Sequence, residues 1–230
     1  VAVDCGPQQH TAASRQDEHV TEVAETKQKR IARRQIDKFE VRRTELAVAT
    51  LNTLADLGYA RTSLREIAQN SEFSHGVLHY YFADKQDLIV QAVRQYEAVC
   101  VTRYDELVAN ATSADELRDG FVARFFATLK TDAPLHRLWY DLRNQSLFDE
   151  SFRQEVVEID QRREEMIWRV IIRCAELAGV GTAMSSAVAY AMIDGIFQRG
   201  LSHALSGLDD EVARLEAEMP GVLALLLARS

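Results

Sequence analysis

The sequence is poor in everything that breaks a helix or staples a fold. Only three prolines and ten glycines occur in 230 residues. These are the strongest punctuators of regular structure, so their scarcity, with abundant Ala, Leu, Glu, Arg and Val, favours helix throughout. The three cysteines, Cys5, Cys100 and Cys174, are odd in number and far apart, with no C-x-x-C pair. That excludes a disulfide framework and a zinc ribbon, and it fits a reducing, cytoplasmic setting. Cys100 and Cys174 fall on apolar helical patterns and are expected to be small buried hydrophobes. No apolar run approaches the roughly 18 residues of a membrane span, so no membrane partner is expected. The start, VAVDCGPQQHTAASRQDEH, lacks the apolar core of a secretory leader. Strand-like alternation, internal repeats and low-complexity tracts are also missing.

What is present is helical periodicity and an uneven charge. The net charge of −8 argues against a nucleic-acid partner until it is divided along the chain. Residues 27–85 hold eleven Lys/Arg against seven acids, whereas 86–230 hold fifteen against twenty-three. A small basic head on an acidic body is one way to build a DNA-binding protein. Residues 1–19 read as an irregular polar tail. The basic run KQKRIARRQIDKFEVRR, Lys27–Arg43, reads equally as a phosphate-touching arm or a solvated helix start. Residues 1–38 are therefore taken as a flexible or basic extension, 39–88 as the head and 89–230 as the body.

Helical spacing begins at Phe39 and ends at Gly58, a favoured residue just past a helix. Ser63-Leu-Arg-Glu66 is a capping box opening a helix over about 63–70. Asn70-Ser71-Glu72-Phe73 is a break, and Ser74 caps a short helix over 74–80. Asp84 caps a fourth, expected from Lys85 to about Asn110. Helix, four-residue turn, short helix is helix-turn-helix spacing. The second helix would enter a major groove with its N-terminal residues toward the bases. Ser74, His75 and Gly76 are small enough or polar enough for close approach, and Val77 suits a thymine methyl. His79, Tyr80 and Tyr81 are consecutive. Successive helical residues turn by about 100°, so the three rings cannot all face one core, and the exposed ones suit phosphate oxygens. Leu78 and Phe82 would anchor the helix. Lys85 joins the free amides of the next helix start as a phosphate site. Thr62, Ser63 and Arg65 complete the candidate DNA-binding set.

These residues carry a family resemblance. GYARTSLREIAQNSEFSHGVLHYYFADKQDLI, with Gly58-Tyr59, Thr62, Ile67-Ala68, Ser74, Gly76, Leu78, Tyr80, Phe82, Lys85 and Leu88, resembles the DNA-binding domain of the tetracycline-repressor (TetR) family. The resemblance implies an all-α homodimer: an N-terminal three-helix helix-turn-helix domain that binds operator DNA, and a C-terminal helical domain for a small-molecule effector and dimerisation. Repression is the usual outcome. Three departures stand out. Glu72 takes a turn position where the family usually has Gly, which predicts a strained left-handed residue costing about 1 kcal/mol. His79 and Tyr81 exchange the family's usual Tyr and His.

The remaining segments read as helices over 114–130, 132–147, 149–178, 182–205 and 209–228, the last interrupted at Pro220-Gly221. Candidate effector-site residues are Tyr96, Phe125, Trp139, Tyr140, Arg143, Trp168, Tyr190, Asp194, Phe197 and Gln198, because pockets combine apolar walls with a few polar groups. Asp194 is the most suggestive: an unpaired carboxylate among apolar residues is costly. It reads either as a contact for a cationic effector or, more plainly, as a salt bridge to Arg199, Arg143 or Arg173. Ala187, Ala191 and Gly195 form a small-residue stripe. With Val212, Leu215, Met219, Val222, Leu223 and Leu226 it predicts a homodimer through helices 182–205 and 209–228. LWYDLRNQSLFDESFR and AMIDGIFQRGL are similar to the choline-responsive branch of the family, which does not fix the ligand.

No enzyme motif is present. His75 and His79 are four apart, but Gly76 stands where H-E-x-x-H needs its Glu. Glu72-Phe-Ser-His75 has no second copy, and P-loop, G-x-S-x-G and dinucleotide fingerprints do not occur. No cofactor or metal is expected. The alternative to effector control is the same fold regulated by a protein partner without a small ligand.

Overall fold

The computed structural model describes residues 12–58 and 62–228, with side chains from Arg30 onward except at 31, 32 and 52. Ten α-helices are described: α1 Ala12–Leu57, α2 Leu64–Gln69, α3 His75–Tyr81, α4 Lys85–Cys100, α5 Asp105–Asn110, α6 Ala114–Thr131, α7 Ala133–Gln145, α8 Arg153–Ala178, α9 Ser186–Leu205 and α10 Asp209–Leu225. A single 3₁₀ turn, Glu150–Phe152, precedes α8. Extended pairing among the described residues is limited to one bridge, Thr182 with Leu227. The all-α reading of the sequence is therefore correct.

Several boundaries differ from expectation. α1 begins at Ala12, well before Phe39, because neither Pro nor Gly interrupts the chain between Pro7 and Gly58. The irregular tail expected over 1–19 falls, for residues 1–11, outside the described residues; so do Tyr59 and Cys5. The fourth helix stops at Cys100 rather than Asn110. Thr102 donates its hydroxyl to the Val99 carbonyl (3.0 Å), a local bond that competes with helix propagation. The resulting turn delivers Tyr104 into the core, where it is 3% exposed and meets Phe121 edge-on. The ninth helix starts at Ser186, with Ser185 as its cap. α10 runs through Pro220 without a break.

The chain divides into two compact units, 1–43 and 44–230. In the first, Arg33, Arg34, Lys38 and Arg42 are exposed on the helix. The second holds one continuous core. In its head, Leu46, Leu54, Ile67, Leu78, Phe82, Leu88 and Ile89 are at most 1% exposed. These are the apolar positions of four consecutive short helical segments, and burying each contributes on the order of 1.5–3 kcal/mol. α4 leads from that cluster into the body, where α6, α8, α9 and α10 pack on one another. The step from head to body near residue 88 is not a break in packing.

Candidate functional site

The helix-turn-helix is held by local caps. Ser63 Oγ accepts the Glu66 amide (3.2 Å), the first half of the expected capping box, while the Glu66 carboxylate accepts from the Ser63 hydroxyl (2.9 Å) where the box has it accept from the Ser63 amide. Ser74 Oγ accepts the Val77 amide (3.3 Å), and Asp84 accepts the Asp87 amide (2.9 Å) at the start of α4. Thr53 of α1 ties down the turn by donating to the Asn70 carbonyl (3.3 Å). Glu72 does not adopt a left-handed conformation: among the described residues only Gly58, Gly179 and Gly207 have positive φ. The strain expected at Glu72 is therefore absent, because this turn needs no residue of that hand.

These caps leave one face of α3 outward. Ser74, His75, Gly76, Val77, His79 and Tyr80 are exposed, Tyr81 is half-buried, and Leu78 and Phe82 point inward. Tyr80 is 72% exposed and lies edge-on to Tyr81, ring centroids 4.9 Å apart. His75 and His79 face each other, Nε2 to Nε2 at 3.1 Å. Arg65 and Ser63 are exposed on or beside α2, and Lys85 opens α4. Thr62 is the exception among the candidate DNA contacts. It is 4% exposed and donates its hydroxyl to the Gly58 carbonyl (2.5 Å), so its side chain serves the end of α1.

The body holds a cavity lined by Cys100, Arg103, Tyr104, Phe125, His136, Arg163, Met166, Ile167, Tyr190, Ile193, Asp194 and Phe197, with about 40 Å³ of open space. That is well below the roughly 300–1,000 Å³ of a typical ligand pocket. Of the expected effector residues, Phe125, Tyr190, Asp194 and Phe197 line it. Tyr96 stands behind His136, its hydroxyl 3.4 Å from Nε2. Trp139 is buried under the Arg163 guanidinium, 4.5 Å from the ring centroid, and its Nε1 has no partner. Tyr140 and Arg143 bind Asp194 from behind. Trp168 packs at the edge of the core without lining the cavity. Gln198 lies instead in an open cleft of about 530 Å³ bordered by Asp56, Arg137, Asp141 and Leu205.

Asp194 is paired in the plainer of the two ways expected. Arg143 Nη1 stands 2.5 Å from Oδ2, and the Tyr140 hydroxyl donates to Oδ1 (2.8 Å). Arg143 also reaches Asp160 (3.2 Å), which accepts from the Tyr190 hydroxyl (2.8 Å). One guanidinium thus serves two carboxylates. Burial pushes the Asp160 carboxyl above its ordinary range, against the Tyr190 bond and the Arg143 charge. Burial, followed by the neighbouring carboxylates, pushes the Tyr190 hydroxyl up as well.

Four features were missed from the sequence. Glu97 and Arg163 form a buried, two-bonded ion pair, 0% and 7% exposed. Both sit on apolar stripes, Glu97 four residues after Val93 and Arg163 four after Ile159, and a charge at such a position was the available signal. His136 is 2% exposed and its Nδ1 has no partner. Burial, aided by the Arg163 and Arg103 charges, pushes its imidazole down to about 2, so it is neutral. Arg103 pairs with Asp132 (2.5 Å). Arg137 donates to the Ala55 (2.6 Å) and Asp56 (3.2 Å) carbonyls at the end of α1, a cation at the negative end of a helix.

The small stripe on α9 is open: Ala187, Ala191 and Gly195 are exposed, with Val188. Most of the apolar set expected to share that face is not: Val212, Met219, Leu223 and Leu226 are at most 7% exposed and pack into their own subunit, while Leu215 and Val222 are half-buried. The outward stripe of α10 is Ala213, Ala217, Gly221 and Leu225.

Comparison with known proteins gives this architecture a family. Residues 46–92 match the model described as bacterial regulatory proteins, tetR family. The HTH-type transcriptional regulator BetI of Paraburkholderia phymatum is 30% identical over 176 residues, covering 73% of this chain and 84% of the relative. The chain belongs to the tetR family. It is a DNA-binding, helix-turn-helix transcriptional regulator of that family, and α2 and α3 lie within the matched segment. The tetR fold is shared with a Saccharomonospora viridis regulator solved in complex with choline. That likeness has TM-score 0.68 and 16% identity, and covers 83% of this chain and 100% of the other. FadR from Bacillus subtilis, solved in complex with stearoyl-CoA, also shares it, with TM-score 0.61, 19% identity, and coverage of 80% and 96%. No described helix is long and apolar enough to cross a membrane.

Proposed function

We propose that this tetR-family regulator is a homodimeric repressor released from its operator by a small-molecule effector. Residues 39–88 serve as the DNA-binding head and 89–230 as the effector and dimerisation body. Each subunit inserts α3 into a major groove, and two heads roughly 34–36 Å apart read a two-fold site. Arg65, His75 and Val77 face the bases. Ser63, Ser74, His79, Tyr80, Tyr81 and Lys85 hold phosphates, with Gly76 giving clearance. The open stripes of α9 and α10 form the dimer face.

The observation that carries effector control is His136 Nδ1, a buried polar atom without a partner in the wall of a largely aromatic cavity. Such an orphan costs about 1–3 kcal/mol, and a ligand that satisfied it would recover that. The effector is read as a small cation. Tyr104, Phe125, Tyr190 and Phe197 line the cavity with aromatic rings, and the lining carboxylate Asp194 shares one guanidinium with Asp160. Choline, held by a fold neighbour, is one test ligand. Entry requires the walls to move apart, and α7 transmits that movement. It carries His136, Tyr140 and Arg143 on the cavity side and Arg137 on the end of α1. α4 is the second route, with Lys85 at one end and Cys100 at the other.

The test is fluorescence anisotropy with DNA from immediately upstream of the protein's own gene against a scrambled fragment, at two salt concentrations. Specific binding that weakens steeply with salt, and falls in Tyr80→Ala and Lys85→Ala, is expected; choline-like cations should release it. Equal binding to both fragments, or none from a folded dimer, would overturn the operator reading. The alternative, control by a protein partner, draws on the small free volume. It gains if no ligand changes operator binding or thermal stability.

A further inference from the structure

We propose that His75 and His79 form a two-histidine site for a divalent transition metal ion, zinc or copper by class, on the outward face of α3. The sequence reading set the pair aside for want of an H-E-x-x-H glutamate, but that glutamate is a catalytic base and not a ligand; spacing of two His by four residues on one helical face is what binds the ion. Here the geometry is already close. The two Nε2 atoms stand 3.1 Å apart, with ring centroids at 4.3 Å and the planes at 85°. Two imidazoles bound to zinc at about 2.0–2.1 Å in tetrahedral geometry have nitrogens about 3.3–3.4 Å apart. Opening the nitrogens by a few tenths of an ångström and swinging the two rings apart until both lone pairs converge admits the ion, and both side chains are exposed. The contact as it stands requires one ring to carry its proton on Nε2. Chelation moves that proton to Nδ1 and presents both Nε2 lone pairs to the metal.

Among the described residues no third His, Cys, Asp or Glu joins the pair. The remaining coordination positions are therefore open to water, and the site is an exchangeable one rather than a structural one. Its place gives it a consequence. The Nε2 atoms that hold the metal are those that would face DNA, so chelation removes them from base and phosphate contact. By linkage, metal and operator weaken each other by the same factor. This second step rests on the reading of α3 as the DNA-contacting helix; the site itself does not.

The first experiment is calorimetric titration of Zn²⁺ into the full chain, without DNA and after chelator treatment. One ion per chain is expected, lost in both His75→Gln and His79→Gln and retained in the His10→Gln/His19→Gln double variant. Cu²⁺ in place of Zn²⁺ should give a paramagnetic resonance spectrum with nitrogen hyperfine structure from two imidazoles. Unchanged Zn²⁺ binding in both single variants of native circular dichroism, or no binding by the parent chain, overturns the site. The second arm adds operator DNA. Zn²⁺ should weaken the parent complex at least tenfold and have no further effect on whatever operator affinity His79→Gln and His75→Gln retain. Zn²⁺ binding with unaltered operator affinity would overturn the coupling and leave the site standing. Absence of any specific DNA complex would strike the operator reading instead.

Discussion

The face of α3 and the cavity of the body are built in opposite ways. Around α3, the caps that set the helix ends all lie within a few residues: Ser63 caps Glu66, Ser74 caps Val77, and Asp84 caps Asp87. The functional side chains are the ones that the caps leave outside. In the body, the determining contacts join residues 51 to 82 positions apart. Glu97 meets Arg163, Arg143 meets Asp194, and Arg137 meets the end of α1. A surface made of local signals keeps its shape when one contact is lost. A cavity made of long-range charge pairs depends on each of them, and the consequences can be measured.

The largest effect should come from the buried pair. Glu97→Ala leaves the Arg163 guanidinium buried without its carboxylate, a change that costs about 3–5 kcal/mol. Denaturant unfolding should show that loss, while replacement of both partners by apolar residues of similar volume should recover most of it. A Glu97→Ala protein of parental stability would mean that the cavity is not held by its charges.

His136 comes next. Its neutral form is favoured in the folded protein, where the imidazole is pushed down to about 2, whereas the unfolded chain titrates near 6.5. Above that value both states are neutral and the group adds no pH dependence. As pH falls below it, the unfolded state binds a proton that the folded state does not, and stability drops by up to about 1.4 kcal/mol per pH unit. Between pH 6.5 and pH 5 the parent should lose about 2 kcal/mol more than His136→Gln. Equal slopes in the two proteins would show that the ring is solvated and poorly suited to a ligand.

The same contrast explains what was legible in the sequence. Helix content, the three head helices, their caps and the outward His79-Tyr80 edge all follow from spacing within a few residues. So did the pairing of Asp194, because a carboxylate in AVAYAMIDGIF has to be answered by something. The partner of Glu97 was not legible. Two charges on two amphipathic helices give no sign that they meet until the helices are packed. The inward turn of Val212, Met219 and Leu223 on α10 is hidden for a similar reason. Val212, Met219 and Leu223 are apolar on any reading, and only the packed bundle distinguishes a helix facing its own core from one facing a mate. Thr62 was misassigned because a hydroxyl beside a capping box looks available until the Gly58 carbonyl takes it.

A medium effect should test whether the two regions communicate. Arg137→Ala removes the bonds to the Ala55 and Asp56 carbonyls and touches neither α3 nor the cavity wall. Operator affinity without effector should change little, but the coupling between effector and operator should shrink by about 1 kcal/mol out of the usual 1–3. Undiminished release by the effector in this variant would assign transmission to α4.

The smallest effect concerns the turn between α2 and α3. A glycine in place of Glu72 would relieve strain if that residue were left-handed, and it would stabilise the protein by about 1 kcal/mol. The backbone there is not left-handed. Glycine then only adds freedom to the unfolded chain, and Glu72→Gly should destabilise the head by about 0.4–1 kcal/mol. The sign alone decides the matter, and thermal unfolding of the two proteins side by side reads it. A higher midpoint for the variant would mean that the turn needs the family's usual glycine after all.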